Sequence, residues 1–422
     1  MESGRRKTHF AFADQILVSG ANFATGLLLA RALGPAGYGQ YTLLFNVVMF
    51  MFGIQIALIN SPLLVLGGAV SQEDADDYFR SAVLGQVVWL LAAIGLISGF
   101  ALLTNIWLPQ WNLRSLWGAL VVGMIGYLSQ DFVRRYLFVR DRAALALRTD
   151  LIAHGLKLLL LAGCAFWWQI GTASALWIIG GTGLAGVASV LVGASMRGWH
   201  VLPAAGGLRR AIEAHWHFGK WLLAESLASL CAAQLVIYLT GHLISVAAVG
   251  AMTAAMNIIA AANVLFLALE NVVPSRAAKI YSARGLPGLK RYLVRFATLG
   301  GACTLAIVLV AVAGAELWLR LLYGEAYAGN GSLLAWWGLY YLLGFAQRPF
   351  SVGLRVLGVT RALFHGTVAA GVVSLALSYP ATRAFGVHGA MLALCAVQAA
   401  TLLVLALSYR TAVRRDETEG AT

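Results

Sequence analysis

The run LIAHGLKLLLLAGCAF places a lysine where a charge has little water to meet. Lys157 lies about seven residues into this apolar segment, or roughly 10 Å along a helix rising 1.5 Å per residue. His154 precedes it by three residues, so both share one helical face. Two uses fit such a cation. It can face a polar cavity and hold a phosphate or a sugar, or it can run its stem back to a charged interface. Two carboxylates, Asp14 and Glu225, stand in similar apolar runs 211 residues apart. Each can bind a coupling proton or sodium ion, or pair at a membrane edge with Lys7 or Lys220.

Arg134, Arg135, Arg348 and Arg355 close two further apolar runs. A guanidinium fork matches phosphate geometry, and the same residues serve equally as anchors on a membrane surface. Arg31 ends the first run and faces the opposite side. Asn22, Asn46 and Asn257 place amides on apolar helices, suited either to line a cavity or to bond helix to helix. The four cysteines lie singly within apolar runs and read as packing residues. No HExxH, Walker, GxSxG or kinase pattern occurs. Neither a metal, a cofactor nor an enzymatic centre is expected.

The elements that must hold these residues are membrane spans. The chain is 60% hydrophobic and only 11% charged, more apolar surface than a soluble fold can hide. Spans of roughly 20 apolar residues are expected at 10–33, 40–66, 81–104, 115–138, 150–169, 174–196, 218–240, 247–273, 292–319, 331–354, 362–383 and 387–409. With the N-terminus inside, 25 of the 30 lysines and arginines fall on inner segments and four on outer ones. That asymmetry is the positive-inside pattern, and it places both termini in the cytoplasm. The formal charge of +13 is therefore a topology signal, and no basic soluble domain exists to carry nucleic acid. The basic start MESGRRKTHF precedes a span-length run interrupted by Asp14, which reads as a retained first helix.

The chain also repeats itself. LARALGPAGYGQYTLLFNVV at 29–48 is echoed by LISVAAVGAMTAAMNII at 243–259, with Gly39 matching Gly250, Thr42 matching Thr253 and Asn46 matching Asn257. Asp14 and Glu225, and Arg80 and Arg291, keep the same offset of 211. Two six-helix bundles follow, over 1–211 and 212–422. An even helix count gives them parallel orientation about an axis along the membrane normal. Gly53, Pro62 and Pro274 lie where helices two and eight can bend.

LGPAGYGQYTLLFNVV resembles the first hairpin of Wzx-like polysaccharide flippases, in the multidrug/oligosaccharidyl-lipid/polysaccharide (MOP) exporter superfamily. NVVPSRAAKIYSARG at 271–285, LRLLYGEAYAGNGSLLAWWGLYYLL at 319–343 and FGVHGAMLALCAVQ at 385–398 are similar to that family too. The resemblance implies an all-α integral membrane protein with MATE-like architecture. It also implies alternating-access transfer of an undecaprenyl-pyrophosphate-linked glycan to the periplasmic leaflet of the inner membrane. Implied partners are the lipid-linked glycan, membrane lipids, and glycosyltransferases or a polymerase of the same pathway. Compared with lipid II flippases of the MurJ type, the chain lacks extra C-terminal helices. Two other readings stay open: a drug/cation antiporter of the same superfamily, and a non-transporting scaffold for glycan synthesis.

Overall fold

The computed structural model describes residues 2–71, 73–107, 113–167, 170–192, 207–260 and 262–419. All regular structure among them is helical. In order, the elements are α1 (Glu2–Gln55), a π-helical turn (Ile56–Asn60), α2 (Ser61–Ala69), α3 (Ala75–Trp107), α4 (Leu113–Val139), α5 (Ala143–Trp167) and α6 (Thr172–Val192). There follow α7 (Gly207–Leu243), α8 (Val246–Ile259), α9 (Ala262–Ala313), α10 (Ala315–Tyr323), α11 (Ser332–Val356) and α12 (Arg361–Glu419). A helix satisfies its backbone polar groups within itself, which apolar solvent requires.

Three of these helices are too long for one crossing, and a left-handed glycine breaks each. Gly34 (φ 66°) interrupts α1, Gly285 (φ 59°) interrupts α9 and Gly386 (φ 58°) interrupts α12. Pro35 and Pro287 stand at the start of the helix that follows, where a missing N–H costs nothing. The twelve expected segments fall largely on helix within the described residues. Seven helical stretches there are long and apolar enough to cross a bilayer, among them Ala13–Ala69 and Arg361–Thr418 with their central breaks. Some limits move. Helix α5 begins at Ala143 rather than 150, so Lys157 sits near its middle, and α7 begins at Gly207 rather than 218. The segment expected at 292–319 is broken at Gly314 and that at 247–273 at Ala260, and 168–169, 193–196 and 261 lie outside the described residues.

The chain forms two compact units, Met1–Leu33 with Gln40–Leu227, and Gly34–Gly39 with Ala228–Thr422. This division follows packing, whereas the boundary at 211/212 counts helices. In the first unit α4 packs closely on α6. A methyl group on Gly126 would stand 2.1 Å from the Gly180 carbonyl oxygen, and one on Gly180 would stand 2.3 Å from that of Val122. Such a seam lets backbones touch, the usual basis of helix association in lipid. In the second unit α11 lies between α9 and α12, with Phe345 against Phe296. Helices α4 and α11 end alike. Arg142 N–H donates to Leu137 O and Asp141 N–H to Phe138 O; Val359 N–H donates to Leu354 O and Gly358 N–H to Arg355 O. Both turns carry a left-handed residue, Asp141 and Gly358.

Candidate functional site

A buried ionic network crosses three helices of the first unit. The Arg134 guanidinium on α4 reaches Asp14 Oδ2 on α1 at 2.7 Å and Asp150 Oδ2 on α5 at 3.0 Å. Both carboxylates are fully buried, and Arg134 is 17% exposed. Arg134 Nη2 also donates to Gln15 Oε1 at 3.3 Å. Gln130, one turn before Arg134, donates to Asp150 Oδ1 at 3.2 Å and lies 3.4 Å from His154 Nε2. Two carboxylates thus share one arginine. Lys157, seven residues after Asp150, is the cation on the same face of α5.

Lys157 is 7% exposed, and its Nζ donates to Asn22 Oδ1 at 3.4 Å. Among the described residues it belongs to no ion pair. His154 is also 7% exposed. Asp14, Asn22, Arg134, His154 and Lys157, drawn from positions 14 to 157, therefore form one cluster. Arg134 does not sit at an open helix end as expected. The two apolar-buried acids draw it inward, since an ion leaves water only for strong compensating partners. Asp150 and Gln130 escaped the sequence reading. The spacing Asp150, His154, Lys157 at i, i+4, i+7 carries the signal, because it lines one helical stripe with ionisable groups.

The other residues have different settings. Arg135 pairs with Asp131 at 2.7 Å, and Asp131 Oδ2 also accepts from Asn60 Nδ2 at 2.7 Å. Glu225, the counterpart of Asp14, is exposed, so the two carboxylates are not equivalent in structure. Arg31 and Arg355 are exposed and Arg348 is half-buried. Asn46 is half-buried on α1, and among the described residues its Nδ2 has no hydrogen bond.

Of the three bend candidates, two flank an actual irregularity. The π turn Ile56–Asn60 lies between Gly53 and Pro62. Proline at 62 cannot donate to the carbonyl four residues back, which is Leu58. His215 Nδ1 on α7 takes that place, 3.1 Å from Leu58 O. Its Nε2 lies 3.0 Å from Tyr78 Oη, and Tyr78 Oη lies 3.4 Å from Pro62 O. One turn along α7, Gly219 approaches the Ala57 carbonyl so closely that a methyl group would meet it at 2.4 Å. Gln55 holds the other side by donating to Leu128 O at 3.0 Å. His215 lies three residues before the seventh expected span, and burial pulls its pKa below the ordinary histidine value. By contrast, α9 runs through Pro274 in helical geometry.

His215→Ala should therefore strand the Leu58 carbonyl at a cost of about 1–3 kcal/mol. Pro62→Ala restores an N–H that can close the helix on Leu58, so the double variant should lose much less than the two single losses combined. Thermal unfolding of the four proteins measures this coupling. Additive losses would refute the latch.

The matched turns around Gly39 and Gly250 meet within the second unit. A methyl group on Gly39 would stand 1.8 Å from Val246 O, and one on Gly250 would stand 2.0 Å from Pro35 O. Gly39 matches Gly250 and Pro35 matches Val246 at the offset of 211, so the contact is reciprocal. Beside it, Asn257 Nδ2 donates to Tyr38 Oη at 2.8 Å, and Trp337 Nε1 donates to Met252 O at 2.9 Å. Ser245 caps α8 by accepting from Ala248 N–H at 3.1 Å.

Helix breaks at glycine, a polar network inside apolar helices and seven span-length stretches make this a multi-pass membrane protein, and its fold is shared with solved MOP-superfamily transporters. The chain superposes on an inward-facing multidrug-resistance MATE transporter of that superfamily with a TM-score of 0.67 at 15% identity, over 96% of each chain. On the lipid II flippase MurJ, in an inward closed conformation, the TM-score is 0.65 at 14% identity, over 96% of this chain and 87% of that one. A MOP-superfamily transporter from Pyrococcus furiosus gives 0.63 at 14% identity, over 98% and 96%.

In sequence the chain is similar to a curated protein of Escherichia coli (strain K12) named "Putative O-antigen transporter". The two are 23% identical over 407 residues, covering 90% of this chain and 92% of that protein. No family profile matches the chain. The resemblance read from the hairpin motif is borne out, and the chain is a multi-pass protein of the bacterial inner membrane. The proteins it resembles are transporters and flippases.

Proposed function

We propose that this protein is a flippase, not an enzyme. It moves an undecaprenyl-pyrophosphate-type lipid-linked oligosaccharide or polysaccharide repeat unit to the periplasmic leaflet by alternating access, with both termini in the cytoplasm. One observation carries the cargo class: Lys157 is a buried cation at mid-helix outside any ion pair among the described residues. A diphosphate cannot cross hydrocarbon without a compensating charge. Lys157, with His154 and Asn22 beside it, supplies one while the lipid tail stays in the bilayer. The sequence likeness to a protein named as an O-antigen transporter supports this reading.

The Asp14–Arg134–Asp150 triad is the coupling element in this account. Two buried acids share one guanidinium, so a proton or sodium ion can neutralise the excess charge. The same triad favours a second reading, a drug/cation antiporter, because it is an acidic site inside the fold of a MATE transporter. The lysine beside it opposes an organic-cation cargo.

Lys157→Ala tests the assignment. Loss of a charge-assisted contact worth about 1.5–3 kcal/mol should lower export roughly 10- to 100-fold with normal protein in the membrane. Lys157→Arg should retain most activity. Full export by the alanine variant would remove Lys157 from the cargo path.

A further inference from the structure

A cavity lies in the second unit, apart from every residue assigned above. It encloses about 490 Å³ between α9, α11 and α12. Its floor is apolar, with Leu293, Val294, Ala297 and Phe350, and its rim carries Lys290, Arg410, Arg414 and Glu417. Lys290 bonds to Glu417, which cancels one cation against the single rim acid. The surplus positive charge rests on Arg410 and Arg414. Both are exposed, and among the described residues neither belongs to an ion pair. They stand one helical turn apart, where like charges repel unless an anion lies between them.

The floor decides what kind of anion. Val294 is 62% exposed, so the apolar surface continues from beneath the arginines along the outside of α9. Free phosphate would use the rim and gain nothing from the floor. A zwitterionic lipid would bring its own cation towards the arginines. Basic cavities between membrane helices on the side that gathers lysine and arginine suit anionic headgroups.

We propose that this cavity seats an anionic glycerophospholipid of the bilayer. Its phosphate lies between Arg410 and Arg414, and an acyl chain runs over Val294 and Ala297. The site is separate from the cargo cluster of α1, α4 and α5, and it stands whether or not the cargo is a glycan lipid.

Native mass spectrometry of the purified full-length protein, titrated with phosphatidylglycerol or phosphatidylcholine of equal chain length, tests the proposal. Phosphatidylglycerol should bind at least about tenfold tighter. R410Q/R414Q should weaken it about 30-fold, as expected for two interfacial charges. Ala297→Trp, which fills the floor and keeps the charges, should also weaken it. Equal retention of the two lipids would overturn the proposal. So would unchanged affinity in R410Q/R414Q, or displacement of the lipid by equimolar inorganic phosphate, which marks a bare anion site.

Discussion

Arg134→Ala should lower stability by about 3–5 kcal/mol, because it leaves Asp14 and Asp150 buried without their shared cation. Breaking a buried pair from one side costs far more than replacing the whole pair with neutral groups. Thermal unfolding in detergent and the amount of protein in the membrane report the loss. The rescue separates structure from mechanism. Arg134→Ala combined with Asp14→Asn and Asp150→Asn removes the stranded charges and should recover most of the stability. If the triad carries the coupling ion, export stays lost in this triple variant. If export returns with stability, the triad is only a structural tie between α1, α4 and α5.

The second large effect concerns the contact between the Gly39 and Gly250 turns. Gly39→Ala and Gly250→Ala each place a methyl group about 2 Å from a backbone carbonyl oxygen, which cannot swing aside as a side chain can. Overpacking of this kind costs roughly 1–3 kcal/mol in a closed core. Here the strain is relieved by parting the α1 turn from α8, so the variants should stay folded while the seam opens. In a background without the four native cysteines, Asn257→Cys should then react faster with a membrane-impermeant thiol reagent added outside. Export should fall in both variants. Gly68→Ala serves as control, since nothing lies within 4 Å of its added methyl group. Unchanged reactivity and export in both glycine variants would remove the seam from the transport cycle.

Much of the fold was legible because its causes are local. Twenty-residue apolar runs and the glycines that break them specify helices and turns without tertiary information. Gly34–Pro35 announced its own break. The repeat drew attention to Gly39 and Gly250, but nothing local says that these glycines face each other. That follows from packing, as does the burial of the α4–α6 seam. The site was half legible. Lys157 and Asp14 stand out because a charge within an apolar run is rare, and they do share one cluster. Arg134 looked like an anchor near a helix end, since its partners lie 120 residues earlier and 16 residues later. Symmetry misled in one respect: Glu225 shares the position of Asp14 in the repeat, yet it is exposed and has no part in a buried network. His215 could not be found from sequence, because its role is to replace a hydrogen bond that Pro62 removes on another helix.

A flippase of this kind carries its lipid-linked saccharide across the bilayer. The most direct test is the leaflet on which that lipid accumulates in cells lacking the gene, read with a membrane-impermeant glycan-modifying probe on intact and inverted vesicles. It should collect on the cytoplasmic leaflet, and restoring the gene should return it to the outer one. Normal delivery to the outer leaflet in the deletion strain would show that this protein is not the flippase.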